Sequence, residues 1–264
     1  QTNHSAKTIA RSNQLNASGY FESKAGAPTV IYCNFEGEEV NQALWSTSTI
    51  NAAPSGLSSG EVEEILKLVA EDFSPFDVNV TNDRSVYNNT PSNKRVMCIS
   101  TPTDTASPGS GGVAYLDTFE DDLVCWDFNL DGDTISHEVG HTLNLDHHGD
   151  SSQNAPEYHD GHASESRDWG PIMGSAFEAS MVQWSDGNYT FSTNSNQDDL
   201  ELITNYGLSY RADDYGNDSA TGEHISISNM LVTRNGIIER STDVDVFNVT
   251  YSSLGKVQVA GTGR

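Results

Sequence analysis

His137-Glu138-Val139-Gly140-His141-Thr142-Leu143-Asn144-Leu145-Asp146-His147 is the stretch on which the reading of this 264-residue chain turns. Histidines four apart fall on one face of an α-helix, one turn from each other. A helix predicted over 134–143 therefore presents His137 and His141 side by side, with Glu138 projecting next to them. His147 is harder to place, because in a straight helix it would stand about 15 Å along the axis from His137. The three rings meet only if the chain reverses just after His141. Asn144 stands where that reversal is needed. After Gly, Asn is the residue that most readily takes the left-handed conformation ending a helix.

Three imidazoles are a zinc ligand set, since zinc takes histidine nitrogen at about 2.0–2.1 Å and four ligands in all. Neutral rings leave the +2 charge intact and one position for water, and a carboxylate at Glu138 suits a general base acting there. His148 is the neighbouring alternative to His147 as third ligand.

Outward from this stretch, strands are expected at 29–35, 76–80, 95–99, 111–116 and 123–126. A helix after Ser58-Ser59-Gly60 places Val62, Ile65, Leu66, Val69 and Phe73 on one apolar face, with Glu61, Glu63 and Glu64 in its first turn and Pro75 as its stop. One more helix falls within 195–206. Residues 1–26 lack periodicity and read as a flexible N-terminal segment or a pro-segment remnant. A turn-rich linker after Arg211 leads into short strands at 225–229, 237–238, 244–250 and 256–260, so 27–211 and 212–264 are read as separate units.

The pattern HExxHxxNxxH over 137–147 resembles the HExxHxxGxxH signature of the metzincin zinc peptidases, with Asn144 in the usual glycine position. That family carries a methionine turn beneath the metal, and Pro171-Ile172-Met173-Gly174 is similar to it, with Met173 as its methionine; the plain alternative is core packing. The resemblance covers roughly 27–211. It implies an α+β catalytic domain: a twisted, mostly parallel sheet with an antiparallel edge strand, a backing helix, the active-site helix and a small irregular C-terminal subdomain. It implies a secreted zinc endopeptidase, with one Zn2+ on His137, His141 and His147 and Glu138 as base. Extended protein or peptide substrates would pair with the edge strand, here 111–116, which makes Gly112, Val113, Ala114 and Tyr115 the expected substrate-binding residues. Some branches carry a metal-reaching tyrosine two residues after the methionine; this chain has Ser175, so no fifth ligand is expected. The segment from 212 on, through RSTDVDVF at 240–247, resembles the start of a β-sandwich appended to secreted bacterial peptidases.

Other clusters leave choices open. Asp127, Asn129 and Asp131 begin like a calcium loop, but position twelve would be Glu138, already placed beside zinc. What remains is a partial Ca2+ site or a solvated acidic turn, and the same choice holds for Asp213, Asp214 and Asp218. His159 and His162 are a second metal site, substrate contacts or two exposed loop histidines. Cys33, Cys98 and Cys125 form one disulfide and a thiol, or three free buried thiols.

With 38 Asp and Glu against 13 Lys and Arg, the formal charge of −25 excludes phosphate backbones and anionic membranes as natural partners. No run approaches the roughly 20 apolar residues of a membrane span. The opening QTNHSAKTIARSNQ has no apolar leader core, so the chain reads as cytosolic or as a mature exported protein, and the histidine pattern favours export. A monomer is expected. The rival functions are a zinc-binding adhesin with a relic active site, a zinc amidase acting on a cell-wall component, and a calcium-binding structural protein.

Overall fold

The computed structural model describes residues 15–164, 167–176, 179–227 and 234–251. Its centre is strand β1 (Thr29–Asn34), buried along its whole length. Such a strand is covered on both faces, and its residues divide accordingly. Ile31 and Cys33 enter the larger core on the helix side, while Val30 and Tyr32 enter a smaller core on the opposite face. The chain is mixed α/β with a mostly parallel central sheet.

After β1 come a small antiparallel hairpin, β2 (Glu38–Val40) and β3 (Ile50–Ala52), and then helix α1 (Ser59–Asp72). Ser58 and Glu61 close a capping box at the start of α1, as residues of these types do at helix N-termini. Ile65, Leu66 and Val69 face the sheet as the periodicity predicts. Strand β4 (Val78–Thr81), the short helix α2 (Arg84–Asn89) and β5 (Arg95–Ser100) follow. Next are β6 (Gly112–Val113), β7 (Cys125–Asp127) and helix α3 (Gly132–Thr142). The strand order is β4-β1-β5-β7-β6; the first four run parallel and β6 is antiparallel to β7. Helices α1 and α3 bury their apolar residues in the same core. Gly132 permits their close approach, because a Cβ there would lie 2.9 Å from the Leu68 Cβ.

Beyond α3 lie a three-stranded sheet, β8 (His162–Ser164), β9 (Arg167–Pro171) and β10 (Met181–Gln183), and helix α4 (Asp199–Asn205). A parallel pair, β11 (Glu223–Ile227) and β12 (Phe247–Tyr251), belongs to the C-terminal segment.

Several expectations need correction. Residues 15–26 are not a free lead-in: Phe21 inserts into the core and Glu22 bridges Thr81 at the sheet edge. Residues 1–14 lie outside the described residues. The edge strand expected over 111–116 shortens to two residues, because Asp117 takes a left-handed turn and the chain leaves to bond the end of α3, Asp117 N–H to His141 O and Thr118 N–H to Thr142 O. Phe76 forms only a bridge, to Tyr210, and no strand forms at 237–238. Residues 228–229 and the strand expected at 256–260 lie outside the described residues. The three cysteines are free and buried, at neighbouring register positions on β1, β5 and β7. Burial pushes the Cys33 and Cys98 thiols far up, and all three side chains pack in the larger core. Among the described residues no helix is long and apolar enough to cross a membrane.

Candidate metal centre

Helix α3 starts on Asp131, whose carboxylate accepts the Thr134 N–H at 2.7 Å. From there His137 and His141 stand a turn apart, ring centroids 4.7 Å from each other. The helix ends as the reversal requires. Asn144 has φ +66°, its N–H reaches His141 O at 2.9 Å, and the Leu145 N–H reaches back to Gly140 O at 3.1 Å. This is a Schellman closure with Asn in the left-handed position. It swings His147 back until its Nε2 lies 3.1 Å from His141 Nε2. A nitrogen from each of His137, His141 and His147 lies within 4.8 Å of the others, so the three could hold a metal ion.

The second ring nitrogens test that fit. His137 Nδ1 lies 2.8 Å from Ile172 O, His141 Nδ1 2.6 Å from Leu145 O, and His147 Nδ1 3.2 Å from the Glu157 carboxylate. Each of these partners accepts a hydrogen bond, which puts the ring proton on Nδ1 and leaves the Nε2 lone pairs facing inward. Tetrahedral zinc with bonds of about 2.05 Å needs its nitrogens about 3.3 Å apart, close to the His141–His147 spacing. Burial and the neighbouring rings push His137 down to about 3, and burial pushes His141 down to about 4, so both rings are neutral ligands over the ordinary pH range.

Glu138 is 5% exposed, and its Oε2 has no hydrogen-bond partner among the described residues. Burial, then the charge of Asp127, pushes its carboxyl up to about 8. Its other oxygen lies against the edge strand, where a Cβ on Gly112 would stand 2.6 Å from it. Glycine at 112 is thus what lets the carboxylate lie against the backbone of β6. Met173 is buried beneath the helix, in a turn closed by the Gly174 N–H to Pro171 O. A Cβ on Gly140 would lie 2.7 Å from the Met173 sulfur, so helix and turn are fitted to each other.

His148 turns away from the centre. It is fully buried, and its Nε2 lies 2.9 Å from Asp199 Oδ1. His159 and His162 meet each other at 3.2 Å, but the Gly161 N–H donates to His159 Nδ1. That leaves the His159 proton on Nε2, where a metal would need a lone pair. Asp127, Asn129 and Asp131 go to separate partners: Asp127 accepts from Ser100 Oγ and the Leu130 N–H, Asn129 donates to Thr134 Oγ1, and Asp131 caps α3. Of the expected substrate residues, Gly112 and Val113 lie on β6; Ala114 packs on the core, and the Tyr115 hydroxyl donates to Leu44 O.

Sequence reasoning missed Glu157 and Tyr158. The Tyr158 ring lies 4.3 Å from that of His147, and Glu157 fixes the Nδ1 of the same histidine. The one signal was their place beside the already marked His159. Asp199, the partner of His148, had no local signal.

No known family's sequence profile matches the chain, and no curated protein matches it either. Fold and site together define a mixed α/β protein with a three-histidine centre able to hold a metal ion.

Proposed function

We propose that this chain is a secreted, metzincin-type zinc endopeptidase, acting as a monomer on extended protein or peptide substrates. One observation carries the reading: three imidazole lone pairs converge beside Glu138, whose free carboxylate oxygen is buried. A sheet with one antiparallel edge strand, the left-handed Asn144 and the buried Met173 turn support it.

His137, His141 and His147 would hold the zinc. When bound, zinc supplies a Lewis acid that polarises a carbonyl and lowers the pKa of water. Positive charge at the centre favours the ionised form of Glu138, which then takes a proton from the attacking water. The same carboxyl returns that proton to the leaving amine. Glu138 is already desolvated, so little water must be displaced before it acts. The outer side of β6 has no paired strand among the described residues, and it offers main-chain groups to an extended peptide next to Glu138.

Digestion of an unfolded protein by wild type and Glu138→Ala, with zinc content measured on both, tests the reading. General acid–base groups contribute about 10²–10⁴-fold, so the variant should lose at least about 10²-fold while keeping stoichiometric zinc. Equal digestion by the two chains would sink it.

A further inference from the structure

Away from the histidine centre, carboxylates of the C-terminal segment converge. Asp213, Asp214 and Asp245 place oxygens within 4.8 Å of one another, and so do Asp213, Glu239 and Asp243. The triads share Asp213, so the five side chains form one cluster. Glu239 is only 3% exposed, and neither of its carboxylate oxygens has a hydrogen-bond partner among the described residues. One oxygen each of Asp243 and Asp245 is buried and unpartnered in the same way. Gly236 leaves room for this, since a Cβ there would lie 2.3 Å from Asp245 Oδ2.

Among the described residues little positive charge answers the cluster. Arg211 favours the charge on Asp214, but Arg234 pairs with Glu223 and Arg240 lies over the Tyr210 ring. Burial, then the neighbouring acids, pushes Glu239 up to about 7 and raises Asp214 and Asp245. Adjacent buried carboxylates share either a proton or a cation. The donors here are all oxygen and all hard, with no imidazole or thiol in either triad, which selects calcium over zinc or copper. Asp218 stays outside, accepting the Ala220 and Thr221 N–H groups of its own turn.

We propose that Asp213, Asp214, Glu239, Asp243 and Asp245 form a calcium site that ties the turn after Arg211 to the loop preceding β12. The site is independent of the zinc reading.

Calcium titration calorimetry and thermal melting of the full chain test it, with wild type against Glu239→Gln/Asp245→Asn and magnesium as control. Wild type should bind with a Kd in the range of about 10⁻⁴–10⁻³ M, and magnesium more weakly. The double variant should bind calcium at least about tenfold more weakly. In EGTA it should melt at or above wild type, because amides remove the repulsion; with calcium only wild type should gain. A variant that melts lower in EGTA would show that the carboxylates are purely structural. Asp214→Asn, at an exposed position, repeats the binding test with the buried part untouched. Absence of calcium heat in wild type overturns the proposal. So does undiminished binding in both variants, which would move the ion elsewhere, for instance to the Asp127–Asp131 turn. A wild-type melt raised by acid but not by calcium would mean that Glu239 and Asp243 share a proton instead.

Discussion

The histidine centre and the acidic cluster both gather polar side chains that repel one another when charged, but they are built in opposite ways. At the histidine centre every outward ring nitrogen has an acceptor, two of them main-chain carbonyls, so the rings are held whether or not a metal sits between them. In the acidic cluster, oxygens on three of the five carboxylates are buried without a partner among the described residues, and the proposed ion would supply what the protein does not. The first arrangement is preorganised, and the second is completed by its ligand. On the proposed reading, removing zinc should leave the fold of the first region largely intact, whereas removing the proposed calcium should loosen the second.

The comparison breaks most directly at Asp199. Its carboxylate is fully buried and accepts from His148, Gln197 and the Ser185 N–H, pinning the residue next to His147. Asp199→Ala strands those three donors, and each buried donor left without an acceptor costs about 1–3 kcal/mol. Urea unfolding should show that loss at every calcium concentration, and zinc affinity should fall with it. A variant as stable as wild type would mean that the centre is not held from beneath.

Asp127 tests the same contrast through pH. Burial, opposed by the Ser100 hydrogen bond, holds its carboxyl up at about 7. Between about pH 4 and 7 the folded chain therefore keeps a proton that the unfolded chain has released, and this residue's contribution to stability falls as pH rises through that window. Asp127→Asn keeps the neutral shape. It should match wild type near pH 4 and exceed it near pH 8 by on the order of 4 kcal/mol, since each tenfold difference in proton affinity between the folded and unfolded chain is worth about 1.4 kcal/mol. Parallel stability curves would remove the argument.

Much of the centre was legible because its determinants are local. A four-residue spacing fixes the His137–His141 face, and a single Asn fixes the reversal that returns His147. The long hydrophobic strands and the capped amphipathic α1 were legible for the same reason. The hairpin β2–β3 was not, since only Val40, Ile50 and Ala52 are buried in two very short strands. Phe21 was hidden in a segment without periodicity. The supports of the ring nitrogens were also out of reach: Ile172 offers a main-chain carbonyl, which leaves no mark in the sequence, and Asp199 lies 51 residues from His148.

Gly140→Ala sharpens the comparison at the methionine turn. The new methyl would meet the Met173 sulfur at 2.7 Å, with Leu145 and Trp184 atoms at 3.3 Å. Overpacking of this kind costs about 1–3 kcal/mol. Because His137 leans on the Ile172 carbonyl of the same turn, a displaced turn should also weaken zinc retention in competition with a chelator. Unchanged retention would separate the turn from the metal.

The smallest effect is expected at Asn144. A non-glycine residue at φ +66° is strained, while glycine adopts that conformation freely. If the closure alone brings His147 home, Asn144→Gly should keep zinc and activity and gain up to about 1 kcal/mol by relieving strain, less what the freer unfolded chain takes back. The bond that residue 144 gives to the closure survives the exchange, because it runs from the backbone N–H to His141 O and glycine retains it. Chemical denaturation and chelator competition on the same preparation decide it. A glycine variant that folds but lets zinc go would place a specific function on the asparagine side chain, and the histidine centre would then depend on more than its backbone reversal.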